Sequence, residues 1–346
     1  MFSLRRKKKD EEEEIEDPKS SKTSEKPKRI RRKKEEPPKP WGKGERILVF
    51  GVLFATIVIA IVLALNAREW KLPGLPRIGL PKGVLEETYI FEGKPASKNT
   101  NLAISELTRI TKDASGVYGV YVINLNTDET YGINEDEIFK AASLIKLPVM
   151  AGIYSEHESD NIDLDDIYKL READIRGGSG SIAYQEIGTE YTYRELVEYM
   201  GQQSDNTAFA ASVNLLGEDF VKEYIDEIGM THTSYEENET TPRDIGLYFR
   251  KLWQGKLIEK KHRDEILKTL TDTIYEEYIP AGIPDARVAH KFGSEIHVRN
   301  DAGIVFGTDP YVLVIMSKGI VESEALEIIP QIAERVHLFE TSEQGI

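Results

Sequence analysis

The 346-residue chain contains no cysteine. That absence excludes a disulfide framework, a thiolate nucleophile and thiolate metal ligands. Histidine is sparse too. His157, His232, His262, His290, His297 and His337 are scattered, and no H-E-x-x-H occurs, so neither a metal site nor a cofactor is expected. Basic charge is scarce over most of the length. Residues 1–46 hold 17 Lys+Arg against 11 Asp+Glu, net +6, whereas the remainder holds 28 against 49, net −21. An acidic body repels a polyphosphate, which argues against nucleic acid as its partner.

Uncharged apolar sequence is short everywhere but in one place, Ile47–Leu65, "ILVFGVLFATIVIAIVLAL", 19 residues without a charge. As a helix it would span roughly 28 Å, about the hydrocarbon thickness of a bilayer. A cleavable signal fits less well, because the preceding tail is too long and the run exceeds a normal h-region. Nine Lys/Arg fall in Pro27–Arg46 and four in Asn66–Leu85, which places the N-terminus in the cytoplasm. The expected organisation is therefore a disordered cytoplasmic tail (1–46), a single-pass membrane anchor (47–66), an extracytoplasmic linker (67–98) and one folded domain (99–341). The tail's charge blocks cannot bury enough apolar surface to order themselves. Its "KRIRRKK" stretch either meets anionic lipid or simply fixes topology, the blander of the two readings. Gly and Pro recur through "KLPGLPRIGLPKG", the mark of a semi-extended spacer.

Within the domain, "NLAISELTRITKDASG" has helical spacing, and "VYGVYVINL" and "TYGI" read as strands joined at "NTDE". From about 143 to 270 the pattern is helical. Thr192 with Glu195 forms a capping box; Thr241, Pro242 and Asp244 mark a second helix start that Gly255 ends. Three strands follow, near "RVAHKF", "AGIVFG" and "YVLVIMS", and then the amphipathic "ESEALEIIPQIAERVHLF". Short loops make these late strands antiparallel. The fold class expected is α/β of the α+β kind: an antiparallel sheet flanked by helices, plus an all-helical lobe whose junction with the sheet is a natural cleft.

Chemistry concentrates in "AASLIKLPVM", 141–150, an apolar stretch carrying one ammonium and a proline. Ser143 and Lys146 are i and i+3, on one helix face. A lysine in apolar surroundings has its charged form disfavoured, so it can take a proton from a serine without help from histidine. Pro148 should distort the first turn. Taken alone, S-x-x-K is too common to mean much. Two further elements accompany it: Ser204-Asp205-Asn206 after a capped helix, and Lys291-Phe292-Gly293 on the first late strand. S-x-x-K, S-D-N and K-[ST]-G in this order form a set shared by penicillin-recognising serine enzymes.

From about 100 to 340 the chain resembles the class A β-lactamase-like serine hydrolases, on "ASLIKLPV", "YRELVEYMGQQSDNTA", "TTPRDIG" and "HKFGS…NDAGIVF". The resemblance implies that Ser143 is the nucleophile and Lys146 accepts its proton or polarises the acceptor. Ser204, in the field of Lys291, would pass a proton to the leaving nitrogen. Asn206 would bond a substrate amide and hold Lys146, and Gly293 belongs to the cleft strand. The backbone N–H groups of Ser143 and Ser294 would make the oxyanion hole. The implied partner is a β-lactam or a peptidoglycan-derived amide, met by a monomeric catalytic domain.

Three places depart from the family pattern. Phe292 replaces Thr or Ser in the third motif, at a position that points away from the reaction. Arg299, in "VRNDAG", either meets a substrate carboxylate or lies on solvated surface. Most consequentially, class A enzymes carry a glutamate on a long loop before T-T-P-R-D, where it activates the deacylating water. Here that joint, "GMTHTSYEENETTPRD", is too short and lacks E-x-x-L-N. Glu237 and Glu239 are the weak candidates for the base, with Glu236 beside them; ordinary turn carboxylates are the better reading. Two other stretches carry less. "RGGSGSI" (Arg176–Ile182) is not G-x-S-x-G and reads as a cleft-edge loop. "DLDDI" (Asp163–Ile167) lacks calcium-loop spacing and reads as a helix start. The functions expected are an outward-facing, membrane-anchored serine hydrolase with impaired deacylation, or a non-turnover penicillin- or peptidoglycan-binding module of the same fold. A sensor lacks an output domain, and a soluble resistance enzyme would not need the anchor.

Overall fold

A computed structural model describes residues 98–342, with Gly42, Gly44 and positions 50–54, 56 and 58. The chain divides into two units, Met1–Ile90 and Phe91–Ile346. In the first, the described positions between 50 and 58 are helical and exposed. Among the described residues no helix is long and apolar enough to cross a membrane. Most of the span expected at Ile47–Leu65 lies outside them, as do the charged tail to 41 and the spacer before 98.

The second unit begins with helix α1 (Thr100–Thr111), strands β1 (Val117–Asn124) and β2 (Thr130–Ile133), and the short β3 (Phe139–Lys140). A 3-10 turn, Ala142–Ile145, leads into α2 (Lys146–Glu158). Next come β4 (Ile167–Lys169), β5 (Glu190–Thr192), α3 (Tyr193–Gln202), α4 (Asn206–Leu216), α5 (Glu218–Ile228) and β6 (Glu239–Thr240). Helices α6 (Pro242–Trp253), α7 (Lys260–Thr271) and α8 (Ile279–Gly282) precede β7 (Val288–Glu295), β8 (Val298–Val305), β9 (Tyr311–Lys318) and α9 (Ala325–Thr341).

Five strands form one antiparallel sheet in the order β2-β1-β9-β8-β7. The first strand pairs with the last, from Val117↔Lys318 to Asn124↔Tyr311, so the sheet closes only when the chain's end returns to its beginning. Alternation along each strand sorts side chains to two faces. Val120, Val122, Leu313 and Ile315 pack against α1 and α9 in one core. Tyr121, Ile123, Val312 and Val314 face the other core, which continues through Leu144, Leu147 and Met150 into the helical lobe. The site sits where this second core meets the sheet's β7 edge.

The middle of the chain is less purely helical than its sequence suggests. β4 pairs with β5, and β3 with β6, as two-stranded ribbons. Strands of two or three residues are too short to show a period-2 pattern. Asp163–Ile167 is also not a helix start: it is a turn running into β4, where Asp163 Oδ1 accepts a hydrogen bond from Asp165 N at 3.1 Å. An aspartate that bonds the backbone two residues on favours a turn over helix. The expected caps do form. Thr192 Oγ1 accepts from Glu195 N at 3.1 Å while Glu195 Oε2 accepts from Thr192 N at 2.7 Å. Thr241 Oγ1 accepts from Asp244 N at 3.1 Å. The Asp244 carboxylate does not return to its own cap. It accepts from His232 N at 2.8 Å and from Thr233 Oγ1 at 2.9 Å, which pins the short connection between α5 and β6.

Candidate active site

Ser143 lies in the 3-10 turn and Lys146 is the first residue of α2. In a 3-10 helix residues i and i+3 eclipse one another, and Lys146 Nζ stands 3.0 Å from Ser143 Oγ. Pro148 falls in the first turn of α2, where a missing N–H breaks no intrahelical bond, so the ring starts the helix rather than distorting it. The residue before the nucleophile, Ala142, has φ +48°. A non-glycine residue there is strained, and such strain is found where surrounding contacts fix a functional geometry. Those contacts are visible. Asn300, fully buried, donates to Lys140 O at 2.8 Å and Ala141 O at 3.2 Å and accepts from Ser317 N at 3.0 Å.

Ser204 and Asn206 flank the start of α4. Lys146 Nζ donates to Ser204 O at 2.6 Å and Asn206 Oδ1 at 2.7 Å and lies 3.2 Å from Ser204 Oγ. Lys291, from β7, donates to Ser204 Oγ at 2.8 Å and Phe292 O at 2.8 Å. Both lysines are nearly inaccessible, with 2 % of Lys146 and 1 % of Lys291 exposed. Burial pushes the Lys146 pKa down to about 7, against the attraction of Asp205. Burial also drives Lys291 down; repulsion from Lys146 adds to it and Asp301 opposes it.

Counting donors gives these distances a meaning. A neutral Lys146 has two N–H groups and one lone pair. Ser204 O and Asn206 Oδ1 take the two hydrogens, leaving the lone pair for the Ser143 hydroxyl. A charged Lys146 turns its third N–H to Ser143 Oγ instead. Both protonation states fit the same heavy atoms, so a proton can pass between Ser143 and Lys146 without rearrangement.

The S-D-N segment is held by a loop in front of it. Asp205 caps α4 by accepting from Thr207 N and Ala208 N at 2.8 Å each, and its other oxygen accepts from Ile182 N at 2.8 Å. Asn206 Nδ2 donates to Gly177 O at 2.9 Å, and Asn206 N donates to Ser179 O at 3.0 Å. Gly180 has φ +97°, and a Cβ there would come within 2.1 Å of the Asp205 carboxylate; a side chain is excluded on both counts. "RGGSGSI" is thus a cleft-edge loop that clasps Ser204–Thr207.

On the β7 side, a methyl group placed on Gly293 would lie 3.1 Å from Ser143 N and 3.2 Å from Ala141 O. Glycine therefore lets the strand pass close to the nucleophile's own N–H, with Ser294 next in line. Phe292 points to the opposite face, where it stacks on Tyr278 at 4.6 Å and Tyr275 at 4.9 Å between ring centroids.

The structure brings together Ser143, Lys146, Ser204, Asn206, Lys291 and Gly293, with Ser294 beside them. It does not bring Arg299 into the group. Asn300 faces the site, so its neighbour Arg299 faces away. The Arg299 guanidinium is engaged by the Glu322 carboxylate and by Glu295 O at 2.9 Å and Val298 O at 2.7 Å. Glu239 is also occupied, in an ion pair with Lys140 at 3.0 Å. Glu237 is exposed, and its backbone oxygen accepts from Lys140 Nζ at 2.9 Å. Glu236 pairs with Lys222 at 2.6 Å. Sequence reasoning missed Asn300, whose work depends on register across β8 and β9, and the helix-capping role of Asp205. The Asp-Asn-Thr order at a helix start carried a cap signal for Asp205; nothing local marked Asn300.

The profile of the Beta-lactamase enzyme family matches residues 102–339. β-Lactamase VEB-1 of Pseudomonas aeruginosa is 24% identical over 236 residues, which is 60% of this chain and 79% of that protein. The β-lactamase of Mycobacterium tuberculosis is 26% identical over 223 residues, 58% of this chain and 72% of its own length. Among solved structures, PBP-A superimposes with a TM-score of 0.66 at 26% identity, covering 70% of this chain and 97% of PBP-A. A point variant of PBP-A, solved as an acyl-enzyme complex with penicillin G, matches equally well, with a TM-score of 0.66. The match spans the three motifs and the whole sheet; the chain belongs to the β-lactamase enzyme family and is a serine hydrolase of that family.

Proposed function

We propose that this protein is a membrane-anchored, outward-facing serine hydrolase that takes β-lactams or related cell-wall amides onto Ser143 and releases the acyl group slowly. The observation that carries the proposal is the contact of Lys146 Nζ with Ser143 Oγ at 3.0 Å, in a setting that lowers the lysine pKa to about 7. Neutral Lys146 removes the hydroxyl proton as Ser143 Oγ attacks the amide carbonyl. The developing oxyanion is met by the N–H groups of Ser143 and Ser294. As the C–N bond breaks, the leaving nitrogen takes a proton from Ser204 Oγ, and Lys146, 3.2 Å from that oxygen, returns to it the proton taken from Ser143 while Lys291 keeps its own and holds the oxygen at 2.8 Å. Asn206 holds Lys146 through Oδ1 and offers its second amide hydrogen to a substrate carbonyl.

Water must then attack the ester, and slow release is proposed because none of the acidic groups in the connection between α5 and β6 hydrogen-bonds Ser143, Lys146 or Asn206 among the described residues. Glu236 and Glu239 are held by lysines. The anchor rests on the hydropathy of Ile47–Leu65 and the charge difference across it. The catalytic domain is proposed to act as a monomer.

Fluorescent penicillin applied to intact cells expressing the full chain tests reaction and topology together. The expected outcome is covalent label in the membrane fraction that is lost in Ser143→Ala. Label that persists in that variant would overturn the nucleophile, and label that appears only after lysis would overturn the topology.

A further inference from the structure

The end of α2 and the start of α7 gather ligating side chains that the chemistry above leaves unused. Glu158 is the last residue of α2, Glu259 stands just before α7, and His262 lies in the first turn of α7. Each presents one ligand atom within 4.8 Å of the other two. His262 Nδ1 is 2.5 Å from Glu158 Oε1, and that oxygen also accepts from Glu259 N at 2.8 Å. His262 is 3 % exposed, Glu158 half-buried and Glu259 exposed. A second imidazole stands beside the first, because the rings of His157 and His262 are 5.1 Å apart between centroids. His157 Nδ1 meets Ile162 O at 3.1 Å. A carbonyl oxygen accepts, so in the neutral ring Nδ1 carries the hydrogen and Nε2 the lone pair, the tautomer that a backbone partner fixes in metal-bound histidines.

We infer that Glu158, Glu259 and His262 bind a divalent ion of the zinc type, which clips the end of α2 to the start of α7, with the fourth position filled by His157 or water. One imidazole and two carboxylates are a zinc ligand set. The nitrogen favours zinc over magnesium and calcium, which take oxygen shells. Zinc bonds of about 2.0–2.2 Å put tetrahedral ligand atoms roughly 3.3 Å apart, so the widest gap has about 1.5 Å to close. Glu259 supplies that movement, since its carboxylate is exposed and is held by the exposed Lys261 at a loose 3.5 Å. The other two ligands are already set, His262 by burial and Glu158 by its two bonds. Neighbouring carboxylates repel one another, and a divalent ion between them removes that repulsion. Scattered histidines gave no metal signal in the sequence because the two halves of this group, His157-Glu158 and Glu259-x-x-His262, come from separate helices. The site is also remote from Ser143: Lys146 and Glu158 are opposite ends of a 13-residue helix, about 18 Å apart at 1.5 Å per residue.

The test uses the purified full chain, stripped with a chelator, and Zn²⁺ alone as the probe. The thermal unfolding midpoint should rise steadily with Zn²⁺ concentration, as it does for a ligand that binds the folded state, and Mg²⁺ or Ca²⁺ at the same concentrations should not reproduce the rise. X-ray absorption at the zinc edge should show one or two imidazoles in the shell. His262→Gln should abolish the zinc-dependent rise. Glu259→Gln alters an exposed side chain, so its metal-free midpoint should match the wild type while zinc affinity, read by competition with a chromophoric chelator, falls at least roughly ten-fold. That second variant keeps the test decisive where His262→Gln does not fold. No zinc-dependent rise in the wild type, a rise that Glu259→Gln keeps at full affinity, or a zinc shell without imidazole would overturn the site and leave Glu158 as a cap on α7. None of these outcomes bears on Ser143.

Discussion

The two sides of Ser143 are built differently. Toward Lys146, Ser204 and Lys291, polar atoms crowd together at 2.6 to 3.2 Å, nearly sealed from solvent. Toward Tyr235 and the α5–β6 connection there is an open cavity lined by Phe209 and Tyr235 together with Arg176, Asn214 and Glu218. The first side has what is needed to move a proton off a hydroxyl and onto a leaving nitrogen. On the second, Glu236 and Glu239 are paired with lysines and, among the described residues, neither they nor Glu237 hydrogen-bonds Ser143 or Lys146. On the function proposed above, one site serves the first half of a two-step reaction better than the second.

The largest expected effect comes from removing the base. Lys146→Ala should lower the second-order rate of acylation by penicillin G by about 10²- to 10⁴-fold, read by stopped intact-mass time courses. A wild-type rate in that variant would move the base elsewhere. Next is Gly293→Val, whose branched side chain must occupy the space 3.1 Å from Ser143 N. Loss of one oxyanion donor costs roughly 10²- to 10³-fold, so acylation should drop by that order while circular dichroism stays native. If Gly293→Val reacts normally, the strand's close approach has no part in the chemistry.

The pH profile gives a finer division. Because the Lys146 pKa is lowered to about 7, its neutral form is the minor species below that pH. Acylation should rise about ten-fold per pH unit toward 7 and level off above it. A profile flat from pH 5.5 to 8.5 would deny Lys146 the role of base. Smallest of all is the response to Arg299→Ala. Its partner Glu322 is partly exposed in the turn after β9, so acylation should stay within about two-fold. A large fall in acylation would return Arg299 to the substrate.

The difference between the two sides also explains what could be read from the sequence. Ser143–Lys146, Ser204–Asn206 and Lys291–Gly293 are each local, three or four residues long, and their spacing carries the geometry: a 3-10 turn sets the first pair, a helix cap the second, strand alternation the third. Caps at Thr192 and Thr241, the five strands of the main sheet and the final helix were legible for the same reason. Non-local contacts were not. Asn300 restrains Ala141 only because β8 pairs with β9 in one register and the chain before Ser143 crosses them. Arg299 looked available until alternation turned it away from Asn300. The ribbons at β4–β5 and β3–β6 are too short to show a period, and the cavity beside Asn206 exists only when a face of α4 meets Tyr235 from another part of the chain.

The most direct measurement is the lifetime of the acyl-enzyme. The full chain would be mixed with penicillin G, freed of excess drug, and followed by intact mass over minutes to hours, with Ser143→Ala alongside. The predicted result is an adduct of penicillin G mass that forms on the wild type, persists over that period and is absent from the variant. Drug consumed with no adduct accumulating, still dependent on Ser143, would contradict it and place an efficient deacylating base within reach of Ser143.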